Sequence, residues 1–80
     1  MNFPEDIKDK KGNLIHEDDL VRYKQHYYRV FWNVRRNVLQ MVSRNFAYLD
    51  LTVDILPKLE NVGPYEGNER LFLSDGQVSF

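Results

Sequence analysis

The sequence predicts a mainly β fold in one small domain. Residues 19–56 are rich in Val, Tyr, Phe and Trp, side chains that pack well on a pleated sheet. They fall into short alternating runs that are separated by turn residues. A chain of 80 residues, 42% of them hydrophobic and 14% aromatic, can bury one modest core. We therefore treat residues 1–80 as a single domain.

The first three strands are expected at residues 19–24, 26–34 and 37–44. In the first, Val21 and Tyr23 alternate with Arg22 and Lys24, and a short polar turn at residues 33–37 joins the other two. A second interpretation stays open, because six apolar residues also recur at helical spacings of three, four or seven: Leu20, Tyr27, Phe31, Val34, Val38 and Met41. One long amphipathic helix over residues 20–42 is the alternative to the strands.

The fourth predicted strand has the clearest alternation in the chain. Leu49, Leu51, Val53 and Ile55 face one way, and Pro57 ends the run. Before the first strand, residues 9–13 form a turn, because Gly12 and Asn13 tolerate positive φ.

The segment after Pro57 is expected to extend the domain rather than to belong to its core. Turn residues at Gly63-Pro64 and Gly67-Asn68 indicate a loop. The sequence Ser74-Asp75-Gly76-Gln77 lies between two apolar runs, Leu71-Phe72-Leu73 and Val78-Ser79-Phe80, which is typical of a β-hairpin. The prediction is a small SH3-like barrel of four to five strands, with a barrel core at 9–56 and a C-terminal loop and hairpin extension at 57–80.

Residues 9–21 resemble a motif near the start of YopX-type proteins of bacteriophages and prophages, which reads Asp-Lys-x-Gly-x-x-Ile-x-Glu-Gly-Asp-x-Val. Matching residues are Asp9, Lys10, Gly12, Ile15, Glu17, Asp19 and Val21, while Asp18 occupies the position where the pattern has glycine. The resemblance covers 13 of the 80 residues and includes no catalytic residue. It implies a twisted β barrel and a phage or prophage origin.

Charge is distributed unevenly along a chain whose net charge is only −1. Between Leu20 and Leu49 there are six Arg or Lys residues and no Asp or Glu, so all twelve acidic residues lie in the flanks. Between Leu20 and Leu49, basic and aromatic side chains interleave in a pattern that suits single-stranded nucleic acid or a protein partner. The predicted binding residues are Arg22, Lys24, Tyr27, Arg29, Phe31, Arg35, Arg36 and Arg44. Internal pairing with the acidic flanks is the alternative.

The C-terminal residues form a second candidate surface. One isolated hairpin cannot bury all the apolar side chains there, so we expect them to contact a partner or a second copy, or to complete the barrel in cis. These residues are Leu71, Phe72, Leu73, Val78 and Phe80.

The sequence offers little that suggests catalysis, a cofactor or a metal. His16 and His26 with Ser43 or Ser74 lack a nucleophile motif, and no phosphate-binding glycine loop is present. The acidic run Glu17-Asp18-Asp19 beside His16 is expected to be a solvated turn, because adjacent strand residues point to opposite faces.

The expected class is a non-enzymatic cytoplasmic protein with no cofactor and no membrane segment. The chain has no cysteine and no apolar run long enough for a membrane helix, which fits the cytoplasm, of a bacterial host if phage-derived. The predicted function is a phage-type accessory protein that acts by protein–protein contact, for example to modulate a host protein. The alternative is a nucleic-acid-binding module that uses the basic and aromatic face.

Overall fold

The computed structural model describes residues 3–75, which form one five-stranded antiparallel sheet and a short helix. The strands are β1 (Asp19–Tyr23), β2 (His26–Asn33), β3 (Val38–Ser43), β4 (Tyr48–Asp50) and β5 (Glu60–Pro64), a 3₁₀ turn spans Leu56–Lys58, and helix α1 spans Glu69–Ser74. The strand order is β4-β3-β2-β1-β5, so the sheet is open between β4 and β5. The predicted mainly β fold is confirmed, and the open sheet is consistent with a small barrel-like fold.

The three central strands form the meander expected from the sequence, and the long-helix interpretation is wrong. The turn between β1 and β2 consists of Lys24 and Gln25, which both have positive φ values of 50° and 68°. A two-residue turn of this kind matches the right-handed twist of the strands that it joins. The β2–β3 pairing runs from Tyr28 opposite Ser43 to Asn33 opposite Val38.

The hydrophobic core lies on one face of the sheet. Its buried side chains come from β1, β2 and β3 and from segments outside the strands, namely Phe3, Ile15, Val21, Val30, Met41, Leu51 and Leu59. Ile15 and Leu59 lie outside the strands of the central meander, and they close the core from the N-terminal and C-terminal sides. The opposite face, called here the outer face, is left for other contacts.

The N-terminal turn is held to the sheet by a buried carboxylate. Asp9 accepts hydrogen bonds from the backbone N–H groups of Lys11, Asn13 and Asn61 at 2.8–2.9 Å. The N–H of Lys10 donates to the Leu59 carbonyl at 2.9 Å. The predicted turn at residues 9–13 is confirmed, and through Asp9 it is connected to β5.

The turn that precedes β1 forms with aspartate at the position where the YopX-type pattern has glycine. Asp18 has a φ of 68°, in the left-handed region that glycine adopts most readily and Asp tolerates. Its backbone N–H donates to Val30 and its carbonyl accepts from Tyr65, which fixes the turn between β2 and the C-terminal segment.

The fourth strand is shorter than predicted. β4 ends at Asp50, and the Thr52 carbonyl accepts hydrogen bonds from the N–H groups of both Ile55 and Leu56, which starts a turn. Val53 is therefore 82% exposed, although the alternation predicted an inward side chain. Ile55 still reaches the core, but by the turn rather than by a pleat.

The prediction of a loop after Pro57 is wrong for residues 60–64, which form β5. This strand pairs with β1, and the register shifts between Leu20 and Val21. Gly63 has a φ of 124°, a conformation that other residues rarely adopt, and it lies opposite Leu20. The sequence of this strand has no alternating apolar pattern that would predict it. The strand is held by its pairing with β1 and by the hydrogen bond from the Asn61 N–H to Asp9.

The predicted C-terminal hairpin is also wrong in its first half. Leu71, Phe72 and Leu73 lie in α1, which packs against β2, and the Tyr65 and Phe72 rings meet edge to face at 5.4 Å. The second half, including Val78 and Phe80, lies outside the described residues. Among residues 3–75, no helix has the length and apolar character needed to cross a membrane.

Candidate binding surface

The outer face of β1 and β2 brings together four of the predicted binding residues. Arg22 lies opposite Tyr27, and Arg29 lies opposite Leu20, so alternation places Arg22, Tyr27, Arg29 and Phe31 on one face. Lys24 is not in this set, because it lies in the β1–β2 turn with its ammonium 5.3 Å from the centre of the Tyr23 ring.

Several arginines of the basic segment already contact the acidic flanks. Arg29 donates to Asp18 at 3.2 Å, and its guanidinium lies 4.2 Å from the centre of the Tyr65 ring. Arg36 donates to Asp50 at 3.4 Å. This is the internal pairing that the charge distribution left open. Because these carboxylates offset the charge of Arg29 and Arg36, the two arginines attract a phosphate chain less strongly.

The remaining predicted arginines do not form one continuous track. Arg35 and Arg36 lie in the turn after β2, whereas Arg44 follows β3 at the other end of the hairpin. Six residue pairs separate the two ends, a distance on the order of 20 Å at the usual rise per strand residue. Arg44 donates instead to the backbone carbonyl of Asp75 at 3.4 Å.

An apolar groove lies on the outer face of β2, β3 and β4. We call Phe31, Val42 and Tyr48 the aromatic groove; they line a cavity of about 270 Å³ together with Asp18 and Arg29. The Phe31 and Tyr48 rings meet edge to face at 5.9 Å. Tyr48 is 55% exposed, so much of its ring is available to a ligand. This arrangement offers an apolar recess with a guanidinium at its margin.

A polar chain of side chains forms the neighbouring part of the same face. Gln40 is buried; its carbonyl oxygen accepts from the Asn33 amide at 2.8 Å, and its amide donates to Asp50 at 2.7 Å. Arg36 donates to the same oxygen of Asp50. A cavity of about 520 Å³ lies here, lined by Phe31 and Tyr48 as well as Gln40, Arg35 and Arg36. The network fixes the charged end of the groove.

The backbone of β4 is unpaired on one side within the described part of the chain. Ser43 donates to the Ala47 carbonyl and Leu51 donates to the Leu39 carbonyl, so every second residue of this segment is bonded to β3. The intervening residues, Tyr48 and Asp50, therefore direct their N–H and carbonyl groups away from β3. Since β4 is the last strand of the sheet, these groups form an open edge next to the aromatic groove.

One small cavity, of about 210 Å³, is lined by His26, Ser43 and Asp75. These residue types occur in nucleophilic triads, but their geometry here is different. The His26 Nδ1 lies 3.2 Å from a carboxylate oxygen of Asp75. The Ser43 hydroxyl accepts from the Ala47 N–H, and among residues 3–75 it forms no hydrogen bond with the imidazole. The contact that would activate the serine is not formed there.

The acidic run before β1 is structural rather than fully solvated. Asp19 is buried and accepts from the His16 N–H at 2.8 Å and from the Asn61 amide at 2.9 Å, which corrects the expectation of a solvated turn at this residue, whereas Glu17 and Asp18 are exposed. The physical reason is that the side-chain amide of Asn61 in β5 supplies a second donor, in addition to the local His16 N–H. Within residues 3–75, no group of three or more His, Cys, Asp or Glu side chains could hold a metal ion.

The predicted C-terminal contact residues that the structure describes differ in burial. Phe72 is half-buried against Tyr65, whereas Leu71 and Leu73 are exposed on α1. Val78 and Phe80 lie beyond the described part of the chain. Phe72 therefore packs in cis, the alternative in which this segment completes its own domain.

Sequence reasoning missed Val42, Gln40 and Tyr48 as site residues. The alternation around residue 48 already placed Tyr48 opposite in direction to Leu49, so the signal for an outward ring was present. The missing information was the strand register, which places Tyr48 beside Val42 and Asp50 beside Gln40. Comparison with protein-family models, with curated proteins and with solved structures found no match for this chain.

Proposed function

We propose that this chain is a binding protein which acts by contact with another protein. The observation that supports this most directly is the aromatic groove beside the open edge of β4. Phe31 and Tyr48 expose apolar ring surface, and the backbone of Tyr48 and Asp50 offers hydrogen-bonding groups next to it. A protein segment in an extended conformation can use both, with main-chain hydrogen bonds to β4 and one side chain in the groove.

The charge at the margins of the groove indicates what kind of segment would bind. Arg35 lies beside the larger cavity, and no carboxylate pairs with it among the described residues. Arg29 and Arg36 share their carboxylate partners with solvent, because Asp18 and Asp50 are both substantially exposed. The partner segment carries an apolar side chain followed or preceded by carboxylates, since these complement the groove and the arginine margin.

The resemblance of residues 9–21 to YopX-type proteins gives the proposal a biological setting, that of a phage or prophage protein acting on a bacterial host protein. The test is affinity capture from a bacterial lysate with three immobilised forms of the chain: the wild type, a variant with Phe31→Ser and Tyr48→Ser, and Val53→Ser. Val53 is even more exposed than Tyr48 but lies outside the groove, so Val53→Ser is the matched control for loss of exposed apolar surface.

We expect the wild type and Val53→Ser to retain the same protein at about 0.5 M salt. The amount that the double variant retains should be at least tenfold lower. Retention at high salt is expected because an apolar contact is screened far less than a charge contact. Retention of the same proteins by all three forms would contradict the groove as the site. Circular dichroism of each form checks that the sheet is intact.

A further inference from the structure

Four basic side chains from three separate segments converge at the β1–β2 end of the sheet. We call Lys10, Arg22, Lys24 and Lys58 the cationic cleft; they line a cavity of about 210 Å³ together with Gln25 and Glu60. Lys10 and Lys58 were not among the binding residues predicted from the sequence, because they lie in the acidic flanks. The tertiary structure places them beside two cations of the basic segment.

The backbone around each of these residues is fixed. The N–H of Lys10 donates to the carbonyl of Leu59. Lys58, the residue before Leu59, is the last residue of the 3₁₀ turn. Arg22 lies in β1, opposite Glu60 of β5. Lys24 lies in the two-residue turn that follows β1. The four side chains thus start from well-defined positions around one recess.

The carboxylates of Glu60 and Asp9 accept their hydrogen bonds from groups other than the four cleft cations. Glu60 is bound by Lys11 at 2.8 Å, and its pKa is lowered chiefly by that hydrogen bond and charge, with Lys10 and Arg22 adding to the effect. The carboxylate of Asp9 accepts backbone N–H groups of the turn and of β5. Among residues 3–75, none of the four cleft cations forms a salt bridge.

The four cations share the recess with one carboxylate, that of Glu60, so the recess carries net positive charge and its cations repel one another. A bound anion would relieve this repulsion. The recess is lined mainly by flexible point charges. Phosphate groups along a flexible strand fit such a surface.

We propose that the cationic cleft binds phosphate groups of a single-stranded nucleic acid. This inference goes beyond the protein-contact function and does not depend on it. The sites are separate, because the cleft lies at the β1–β2 turn and the groove lies on β2, β3 and β4. The variant with Phe31→Ser and Tyr48→Ser is accordingly expected to bind the strand as the wild type does.

The test measures the fluorescence anisotropy of a short labelled oligothymidylate at about 50 and about 200 mM salt. Three forms are compared: the wild type, Lys24→Gln with Lys58→Gln, and Lys8→Gln with Arg70→Gln. The last pair removes the same charge from exposed positions outside the cleft. We expect the cleft variant to bind at least tenfold more weakly, and its log affinity to fall less steeply with log salt, by about 1.4 in slope for two lost phosphate contacts. The control pair should change affinity less than twofold.

Three outcomes would overturn the proposal. The first is no binding of the wild type at the lower salt. The second is equal weakening in both pairs, which is an effect of net charge alone. The third comes from a parallel NMR experiment. Inorganic pyrophosphate and the oligonucleotide are titrated separately, and the amide resonances of Lys24, Gln25 and Lys58 are followed. If only pyrophosphate shifts these resonances and the oligonucleotide does not, the cleft is a site for small phosphates and not for a polynucleotide.

Discussion

At the scale of single residues, Asp9 connects parts of the chain that are far apart in sequence. Its carboxylate accepts N–H groups from its own turn and from Asn61 in β5. Burial by itself raises the pKa of Asp9, but the backbone hydrogen bonds from Asn61, Asn13 and Lys11 outweigh it, so the pKa is lowered below its ordinary value. The ionised form is thus the one that the fold stabilises.

Replacing Asp9 with Asn is expected to destabilise the protein by about 1–3 kcal/mol, because a neutral amide cannot accept three N–H groups as the carboxylate does. Since the pKa of Asp9 is lower in the folded state than in the unfolded state, its contribution is present above about pH 4 and is lost as the pH falls further. Urea unfolding at neutral pH and at about pH 3 measures both effects.

Asp6→Asn serves as the control for the Asp9 prediction, since Asp6 is exposed in the same segment. The free energy of unfolding of Asp6→Asn should match that of the wild type at both pH values. The difference between the wild type and Asp9→Asn should shrink at the lower pH. A difference that is the same at both pH values would show that the charge of Asp9 is not what stabilises the turn.

At the scale of elements, α1 is attached to the sheet by a few contacts of its own. The Phe72 ring meets Tyr65, and the Asp75 carboxylate that follows the helix accepts the Tyr27 N–H at 2.8 Å. The helix has only six residues, too few to be stable alone in water, so its structure depends on these contacts. This explains why the apolar residues 71–73 form a helix although their sequence suggested a strand.

Phe72→Ala is expected to release α1 from β2 without unfolding the central strands. The physical reason is that the helix loses its main ring contact, and with it the position of Asp75 that protects the Tyr27 N–H. Amide hydrogen exchange should become at least tenfold faster at Tyr27, while Val30 in the middle of β2 keeps its protection. Leu73→Ala is the control, because Leu73 is 50% exposed; an equal acceleration in both variants would contradict the role of Phe72.

At the scale of the whole molecule, the core joins both flanks to the meander. Leu59 is fully buried, and its carbonyl also accepts the Lys10 N–H, so one residue contacts the core and holds the N-terminal turn. Surface ion pairs contribute less, because exposed pairs such as Arg29 with Asp18 are worth about 0–1 kcal/mol each. Burial of apolar surface therefore dominates the stability of this domain.

Leu59→Ala is expected to lower the free energy of unfolding by about 2–5 kcal/mol, a large share of what a domain of this size has. The comparison is Val53→Ala, which should change it by less than about 0.5 kcal/mol. Urea titration followed by circular dichroism measures both. A large loss in Val53→Ala would mean that this side chain is inside the core, as the alternation predicted and the structure contradicts.

The sequence by itself determined the local structure of the central meander. Branched and aromatic residues in β1, β2 and β3, with turn-forming residues between them, favour strands, although the helical spacing of six apolar residues left one long helix open. The same alternation placed Arg22, Tyr27, Arg29 and Phe31 on one face, because neighbouring side chains of a strand point to opposite sides. These features depend only on interactions between residues close together in the chain.

Only the tertiary structure decided where β4 ends, that residues 60–64 pair with β1, and that residues 69–74 form a helix. Each depends on partners distant in sequence, such as Asp9 with Asn61 or Tyr27 with Asp75. The aromatic groove and the cationic cleft belong to this second group as well. Both join side chains from separate segments, and no local pattern records which segments will meet, because strand register and burial are fixed by the packing of the whole chain.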